Sequence, residues 1–259
     1  MIIAVTMIRD EADVIDTVLR HLLASGVDHL IVADNLSTDA TPHILNDLEA
    51  CGAPITIVQD PELGYYQSRK MSRLSDMAAE MGATWVLPFD ADEIWYGVNP
   101  DTGEPCRISD ALYEVEADVQ VVRAPGWDHI HQGHGQMVNP AESARTFSSY
   151  RRPQTQQLAK VAYRAQPGAV LHMGNHDVSI KGKDGIGPLA YRHFQYRSLE
   201  QMTRKLRNGR EAYEASDIHP LHGTHWRAGG LKSDDELAAE WAALCATDGL
   251  VFDPAPILP

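Results

Sequence analysis

The strongest constraint on this chain is the rhythm of its first ninety residues, where short apolar β-rich runs alternate with amphipathic helical stretches. Residues 2–6 form the first run. Residues 11–25 then place Ile15, Val18, Leu19 and Leu22 at helical spacing, and Gly26 suits the position just past a helix end. The second run is 29–33. Thr41-Pro42 reads as an N-cap with proline in the first turn, opening a helix to about 49. A third run at 55–58, a helix at 67–81 closed by Gly82, and a fourth run at 85–89 complete the pattern. Strands joined through helices require right-handed crossovers, so the expected fold class is α/β: a Rossmann-like, mostly parallel sheet flanked by helices. Ligands of such sheets settle at the C-terminal ends of the strands. That rule singles out Arg9 with Asp10 and Glu11, Asp34 and Asn35 through Asp39, Asp60, and Asp90 through Glu93.

The second half is less regular. A short helix opened by Ser109 and a strand at 119–123 precede residues 124–157, which are rich in Gly, Pro, His, Gln and Ser. A loop of that length inside a compact chain is usually functional. Short strands are expected at 160–164, 170–173, 178–180 and 189–195, with a flexible turn at 181–188. Ser198 to Gln201 and Ser233 to Glu236 read as capping boxes for two late helices, and the tail DPAPILP as a surface-draped end. The expected organisation is one domain over 1–259 in three parts: 1–95, 96–215, and a C-terminal helix and tail (216–259).

Charge narrows the partners. With 36 acidic and 22 basic residues the net charge is -14. Such a surface repels polyanions, which argues against nucleic acid. A small phosphorylated ligand would then need a local cation or a bound metal. The three cysteines form no CxxC pair, which fits a reducing cytoplasm without a disulfide framework. No apolar run is long enough for a transmembrane segment, and the apolar N-terminus lacks a basic lead, so it reads as a strand rather than a signal peptide.

The chemistry concentrates at Asp90-Ala91-Asp92-Glu93, directly after the apolar run WVLPF. Two aspartates at i and i+2 beyond a buried strand bring carboxylates together at a sheet edge. Carboxylate oxygens are what hard cations such as Mg²⁺ or Mn²⁺ prefer, and such an ion can neutralise a departing diphosphate. The competing reading is a helix cap or a wet turn. Asp34-Asn35-Leu36-Ser37-Thr38-Asp39 lies between a strand and a helix, where Asp34 can accept hydrogen bonds from a base or ribose; an Asx-turn plus N-cap satisfies the same composition.

Together, VTMIRDEADVIDTVLRHLLASGVDHLIVADNLSTDAT and WVLPFDADE resemble the opening of family 2-type glycosyltransferases with the GT-A fold. HFQYRSLEQMTRKLRNG resembles the C-terminal half of a bacterial subgroup of them. The likeness covers 1–95 well and 160–210 loosely, and implies that 1–95 is a nucleotide-sugar-binding half and 96–215 an acceptor and metal half. It implies transfer of a sugar, a hexose by expectation, from a UDP- or GDP-type donor to a sugar or glycan acceptor, with Mn²⁺ or Mg²⁺ as cofactor. It places Glu11 and Asp34 on the nucleoside, Asp90 near ribose or metal, Asp92 as the main metal ligand, and Arg73 near the donor phosphates. Asp10 stands where that family usually has Asn. A late histidine commonly completes the metal site: His193 is favoured because it follows an apolar run, with His176 as the alternative and His172 also in range. Asp177 has the chain order of a general base, with Asp128 and Glu142 as weaker candidates, although the family's usual Glu-Asp pair is missing.

Other groups have two readings each. His129, His131 and His134 lack helical metal-ligand spacing and suggest a polar acceptor loop rather than zinc. Trp95, Tyr96 and Trp127 suit either sugar stacking or packing. Arg145, Arg151 and Arg152 suit either phosphate contact or a solvated loop. Two rival functions share these residues: a haloacid-dehalogenase-like phosphatase, whose nucleophile motif resembles FDAD but follows the first strand, and a nucleotide- or glycan-binding module without catalysis.

Overall fold

A computed structural model describes residues 1–131, 147–154 and 158–259. The alternating first half forms β1 (Ile2–Ile8), α1 (Ile15–Ala24), β2 (His29–Asp34), α2 (Thr41–Ala50), β3 (Ile55–Gln59), α3 (Gln67–Glu80) and β4 (Trp85–Pro88). β1 runs parallel to both β2 and β4, and β2 parallel to β3. Side-chain alternation splits each strand between two cores. Ala4, Leu30 and Val32 face Val18, Leu19, Leu22 and Leu45 of α1 and α2. Ile3, Val5 and Ile31 face Met71, Leu74 and Ala78 of α3. Strands buried on both faces explain why the runs are continuously apolar. Each wholly buried Leu or Ile contributes roughly 1.5–3 kcal/mol.

α1 starts four residues later than its apolar spacing suggests. Asp10 takes a left-handed backbone (φ 57°), and the amides of Val14 and Ile15 both donate to the Glu11 carbonyl. The chain therefore turns over 11–14 before the helix begins. α4 (Ile108–Tyr113) likewise departs from expectation: Arg107 precedes it without a side-chain cap, and Ser109 lies inside its first turn.

Beyond β4 the sheet continues through β10 (Lys160–Arg164), β7 (Val119–Ala124) and β13 (Lys183–Ile186), giving seven strands in the order β13-β7-β10-β4-β1-β2-β3. β10 is antiparallel to β4 and to β7. The stretch expected as a flexible turn at 181–188 is thus partly an edge strand. Its composition is poor in β-formers, and parallel pairing with β7 supplies the order.

A second, four-stranded sheet comprises β6 (Pro105–Cys106), β5 (Glu93–Val98), β14 (Leu189–His193) and β8 (Gly126–Asp128). Its β5, which begins on the last acidic residue after β4, has no counterpart in the sequence reading; neither a helix cap nor a wet turn occurs at Glu93. β11 (Val170–Leu171) and β12 (Val178–Ser179) flank a 3-10 turn at Met173–Asn175.

The helices α5 (Leu199–Glu214), α6 (Thr224–Gly229) and α7 (Asp234–Cys245) follow. Ser198 caps α5 by accepting from the Gln201 amide, and Ser233 with Glu236 forms a complete capping box on α7. α6 was not expected. The tail is also more engaged than a draped end. β15 (Val251–Phe252) pairs with β9 (Tyr150–Arg151), Ile257 packs on the larger core, and the Leu258 amide donates to His21 Nδ1 at 2.9 Å. Among the described residues no helix is long and apolar enough to cross a membrane.

Candidate functional site

The C-terminal ends of β1 and β4, the end of β14 and one face of α5 enclose a cavity of about 290 Å³. Arg9 and Glu11 reach it from β1, Asp90 and Asp92 from β4, and His193 from β14; Arg204, Lys205, Asn208 and Tyr213 reach it from α5. Helical spacing puts the α5 set on one face. Tyr65 stacks obliquely on Tyr213 with ring centroids 4.6 Å apart, giving the cavity an aromatic wall.

Acids and bases are interleaved around its floor. Lys160 on β10 pairs with both Asp90 and Glu93, and Asn175 donates to Asp90 at 3.1 Å. Lys205 lies 2.5 Å from Asp92 and 3.0 Å from Glu11. Arg197, almost fully buried, pairs with Glu11 and Asp13 and donates to the Phe194 carbonyl. His193 presents Nε2 to Asp92 at 3.5 Å while Nδ1 faces Asp128 at 2.9 Å.

These contacts set the charge states. Burial alone would raise the Asp92 carboxyl, but Lys205 and then His193 hold it well below the usual range. Burial would lower His193, yet the carboxylates of Asp92 and Asp128 push it up to about 10. Burial raises Glu93 despite Lys160. Among the described residues no group of three or more His, Cys, Asp or Glu side chains is arranged to hold a metal ion as it stands. Ammonium groups sit on both aspartates of the motif, Lys160 on Asp90 and Lys205 on Asp92.

Asp10 is the clamp of the neighbouring loop. Its left-handed backbone turns the carboxylate towards 37–39, where Oδ1 accepts from the Thr38 amide at 2.6 Å and the Asp39 amide at 3.2 Å. Oδ2 accepts from Asn208 at 2.6 Å, tying that loop to α5. Burial opposes the charge, but the Thr38 amide, Asn208 and the Asp39 amide together lower the carboxyl.

The expected site residues divide. Arg9, Glu11, Asn35, Asp90, Asp92 and His193 share the cavity. Asn35 spends its amide on Asp60 and the Glu62 carbonyl, bracing the wall. Asp34 is buried behind it and accepts from the Ser37 amide at 3.2 Å, as an Asx-turn does. Arg73 opens onto a separate shallow depression between α3 and Met173. Asp177 does not line the cavity and pairs with Arg123 at 2.9 Å. His176 lies against the Ala159 carbonyl at 3.3 Å, and His172 against Ser179 at 2.9 Å. Asp128 supports His193. Glu142, Arg145 and His134 lie outside the described residues.

The remaining groups lie away from this cavity. Trp95 is fully buried and stacked on Tyr191, and Tyr96 is buried against Arg192. Trp127 carries the Arg192 and Arg151 guanidinium groups on its ring. Arg151 is committed to Asp253, and the Arg152 amide donates to the Asp128 carbonyl. His129 is buried, which lowers it to about 4, and it contacts the Ser148 carbonyl; His131 lies beside Trp241.

Sequence reasoning missed Lys160, Arg197, Arg204, Lys205, Asn208, Tyr65 and Tyr213. A signal existed for part of this set. In the run RSLEQMTRKLRNG, positions 201, 204, 205 and 208 fall on one helical face, and a polar face near the sheet edge is where cations would serve an acidic floor. Lys160 carried no signal, because its role depends on β10 lying beside β4.

No protein-family model matches the chain. No curated protein sequence matches it either. Solved structures do resemble it. The mannosyltransferase PcManGT from Pyrobaculum calidifontis, in complex with GDP-Man and Mn²⁺, is similar over 96% of this chain and 75% of that one, at 14% identity and a TM-score of 0.46. S. aureus TarS 1-349 is similar over 89% of this chain and 70% of that one, at 14% identity and a TM-score of 0.43. Glucosyl-3-phosphoglycerate synthase from Mycobacterium tuberculosis, in complex with Mn²⁺, UDP and glucosyl-3-phosphoglycerate, is similar over 50% of this chain and 44% of that one, at 20% identity and a TM-score of 0.32. At these identities and scores the likeness is one of chain arrangement and says nothing of activity or ligand.

Proposed function

We propose that this chain is a metal-dependent glycosyltransferase that takes a sugar from a nucleoside-diphosphate donor and passes it to a hydroxyl acceptor. The observation that carries the reading is the convergence of Asp90, Asp92 and His193 on one cavity at the C-terminal sheet edge, beside the cations Arg9, Arg204 and Lys205.

The donor set suits a hard divalent ion. Asp92 Oδ2 and His193 Nε2 stand 3.5 Å apart; neighbouring ligands on an octahedral ion with bonds of about 2.1 Å stand about 3 Å apart. His193 is also oriented as a metal-binding histidine is, with its second nitrogen on a carboxylate, Asp128. Asp92 with His193 would hold the ion, while diphosphate oxygens and water would complete the shell; Asp90, held by Lys160 and Asn175, would flank it. When bound, the ion would neutralise charge on the departing nucleoside diphosphate.

The protein's own groups prepare that step. Arg9 extends into the cavity with Nη2 on Glu211 at 2.8 Å and Nε 3.9 Å from Asp10, while its buried Nε and Nη1 make no hydrogen bond among the described residues, which leaves donors for phosphate oxygens. Tyr65 and Tyr213 offer ring faces for a base or sugar. Lys160, fixed between Asp90 and Glu93, keeps the Asp90 carboxylate in place.

The test is nucleotide binding by calorimetry. UDP or GDP should bind in the presence of Mn²⁺, and Asp92→Ala should abolish the metal-dependent part. Equal affinity in the variant would overturn the role of Asp92.

A further inference from the structure

We propose that Lys205 and a divalent cation are alternative partners of Asp92, so that the ion enters together with a nucleoside diphosphate whose charge takes up the displaced ammonium. This rests on the metal-dependent reading above and assigns Lys205 as a positioning residue that couples ion and nucleotide.

Three observations carry it. First, the two partners meet on one atom. Lys205 Nζ lies 2.5 Å from Asp92 Oδ2, and the same oxygen is the one that faces His193 Nε2 at 3.5 Å; the buried Arg197 Nη1 stands farther off at 4.0 Å, so Lys205 is the nearest cation on it. An ion held between Asp92 and His193 would sit within repulsive reach of an ammonium on that oxygen. Second, Lys205 can leave whereas Lys160 cannot. The Lys205 side chain is 20% exposed, lines the cavity and ends a flexible four-carbon stem. The Lys160 side chain is 5% exposed and is locked against Glu93, which is 0% exposed. Third, the displaced ammonium has somewhere to go. Arg9 and Arg204 line the same cavity, so an anionic diphosphate drawn to them would lie beside Lys205.

In the absence of nucleotide, Lys205 therefore acts as a tethered competitor that neutralises Asp92 and Glu11 and discourages the free ion. With nucleotide present, the diphosphate compensates both cations, and ion and nucleotide raise each other's affinity reciprocally.

The experiment measures binding of Mn²⁺ alone, from the electron paramagnetic resonance signal of the free ion, and its change on adding UDP. Lys205→Met removes the competing charge. Lys205→Gln removes the charge but keeps a donor for Asp92 and Glu11, which guards against misfolding of the first variant. Wild type should bind Mn²⁺ weakly alone and far more tightly with UDP. Both variants should bind Mn²⁺ alone on the order of ten-fold more tightly and show a smaller UDP enhancement. Equal Mn²⁺ affinity in wild type and both variants, with UDP-dependent binding intact, would overturn the competition and leave the metal reading standing. No Mn²⁺ binding by any of the three proteins, with or without UDP, would overturn both.

Discussion

Removing Lys160 should damage this protein more than removing any surface charge, and its partner Glu93 should rescue it. Lys160 bridges Asp90 and Glu93 from β10, with its own side chain 5% exposed and that of Glu93 0% exposed. Lys160→Met keeps the stem but strands a buried carboxylate. Breaking a buried ion pair from one side costs about 3–5 kcal/mol, because the remaining charge has lost both water and partner. Unfolding entropy near the midpoint is roughly 2.1 cal/mol/K per residue, so a chain of 259 residues loses about 0.5 kcal/mol per degree. The expected fall in Tm is therefore about 6–9 °C by differential scanning calorimetry at pH 7. Asp90 remains in both states but is 36% exposed and can be hydrated. Neutralising Glu93 as well, in Lys160→Met/Glu93→Gln, should recover most of the loss, since Gln keeps an acceptor for the Trp95 indole N–H that now donates to Glu93 at 3.0 Å. A Lys160→Met protein melting within a degree or two of wild type would refute the reasoning. So would a double variant no better than the single one.

Further outcomes follow from other contacts. Asp10→Ala should cost about 2–4 kcal/mol in urea unfolding, combining a strained left-handed backbone at φ 57° with the loss of charge-assisted bonds to Thr38, Asp39 and Asn208. Asp10→Asn, which tolerates that backbone, should cost less. His21 is buried, which lowers its pKa; one ring nitrogen lies 2.6 Å from the Trp95 carbonyl and the other accepts from Leu258. The neutral ring is the one that fits both partners. Its stabilising contribution is complete above the unfolded histidine value of about 6.5 and is lost as pH falls from there through the lowered folded value. Wild type should thus lose more stability between pH 7 and pH 5 than His21→Leu does, and equal losses would exclude this role. Ser233→Ala should cost about 1 kcal/mol by removing the α7 capping box, read as a lower urea midpoint at unchanged slope.

The amino-acid order alone determined the parallel half of the fold. Apolar runs of strand length separated by helical periodicity admit few arrangements, and β1 to β4 with α1 to α3 form where those periods lie. It also determined the acidic rim, since Asp90 and Asp92 directly follow a buried strand and Glu11 follows another. Tertiary structure decided what surrounds that rim. β5 hides behind the motif, because Glu93 to Val98 reads as neither a clean alternation nor a helix and becomes a strand through pairing with β14. The partners of the carboxylates come from β10 and α5, about 70 and 113 residues away along the chain for Lys160 with Asp90 and Lys205 with Asp92. Asp177, plausible by chain order, and Arg73, placed by family likeness, lie outside the cavity because neither order nor likeness carries direction in space. Local periodicity is written in neighbouring residues, whereas the charge balance of a buried site is set by strands and helices that meet only after the chain has folded.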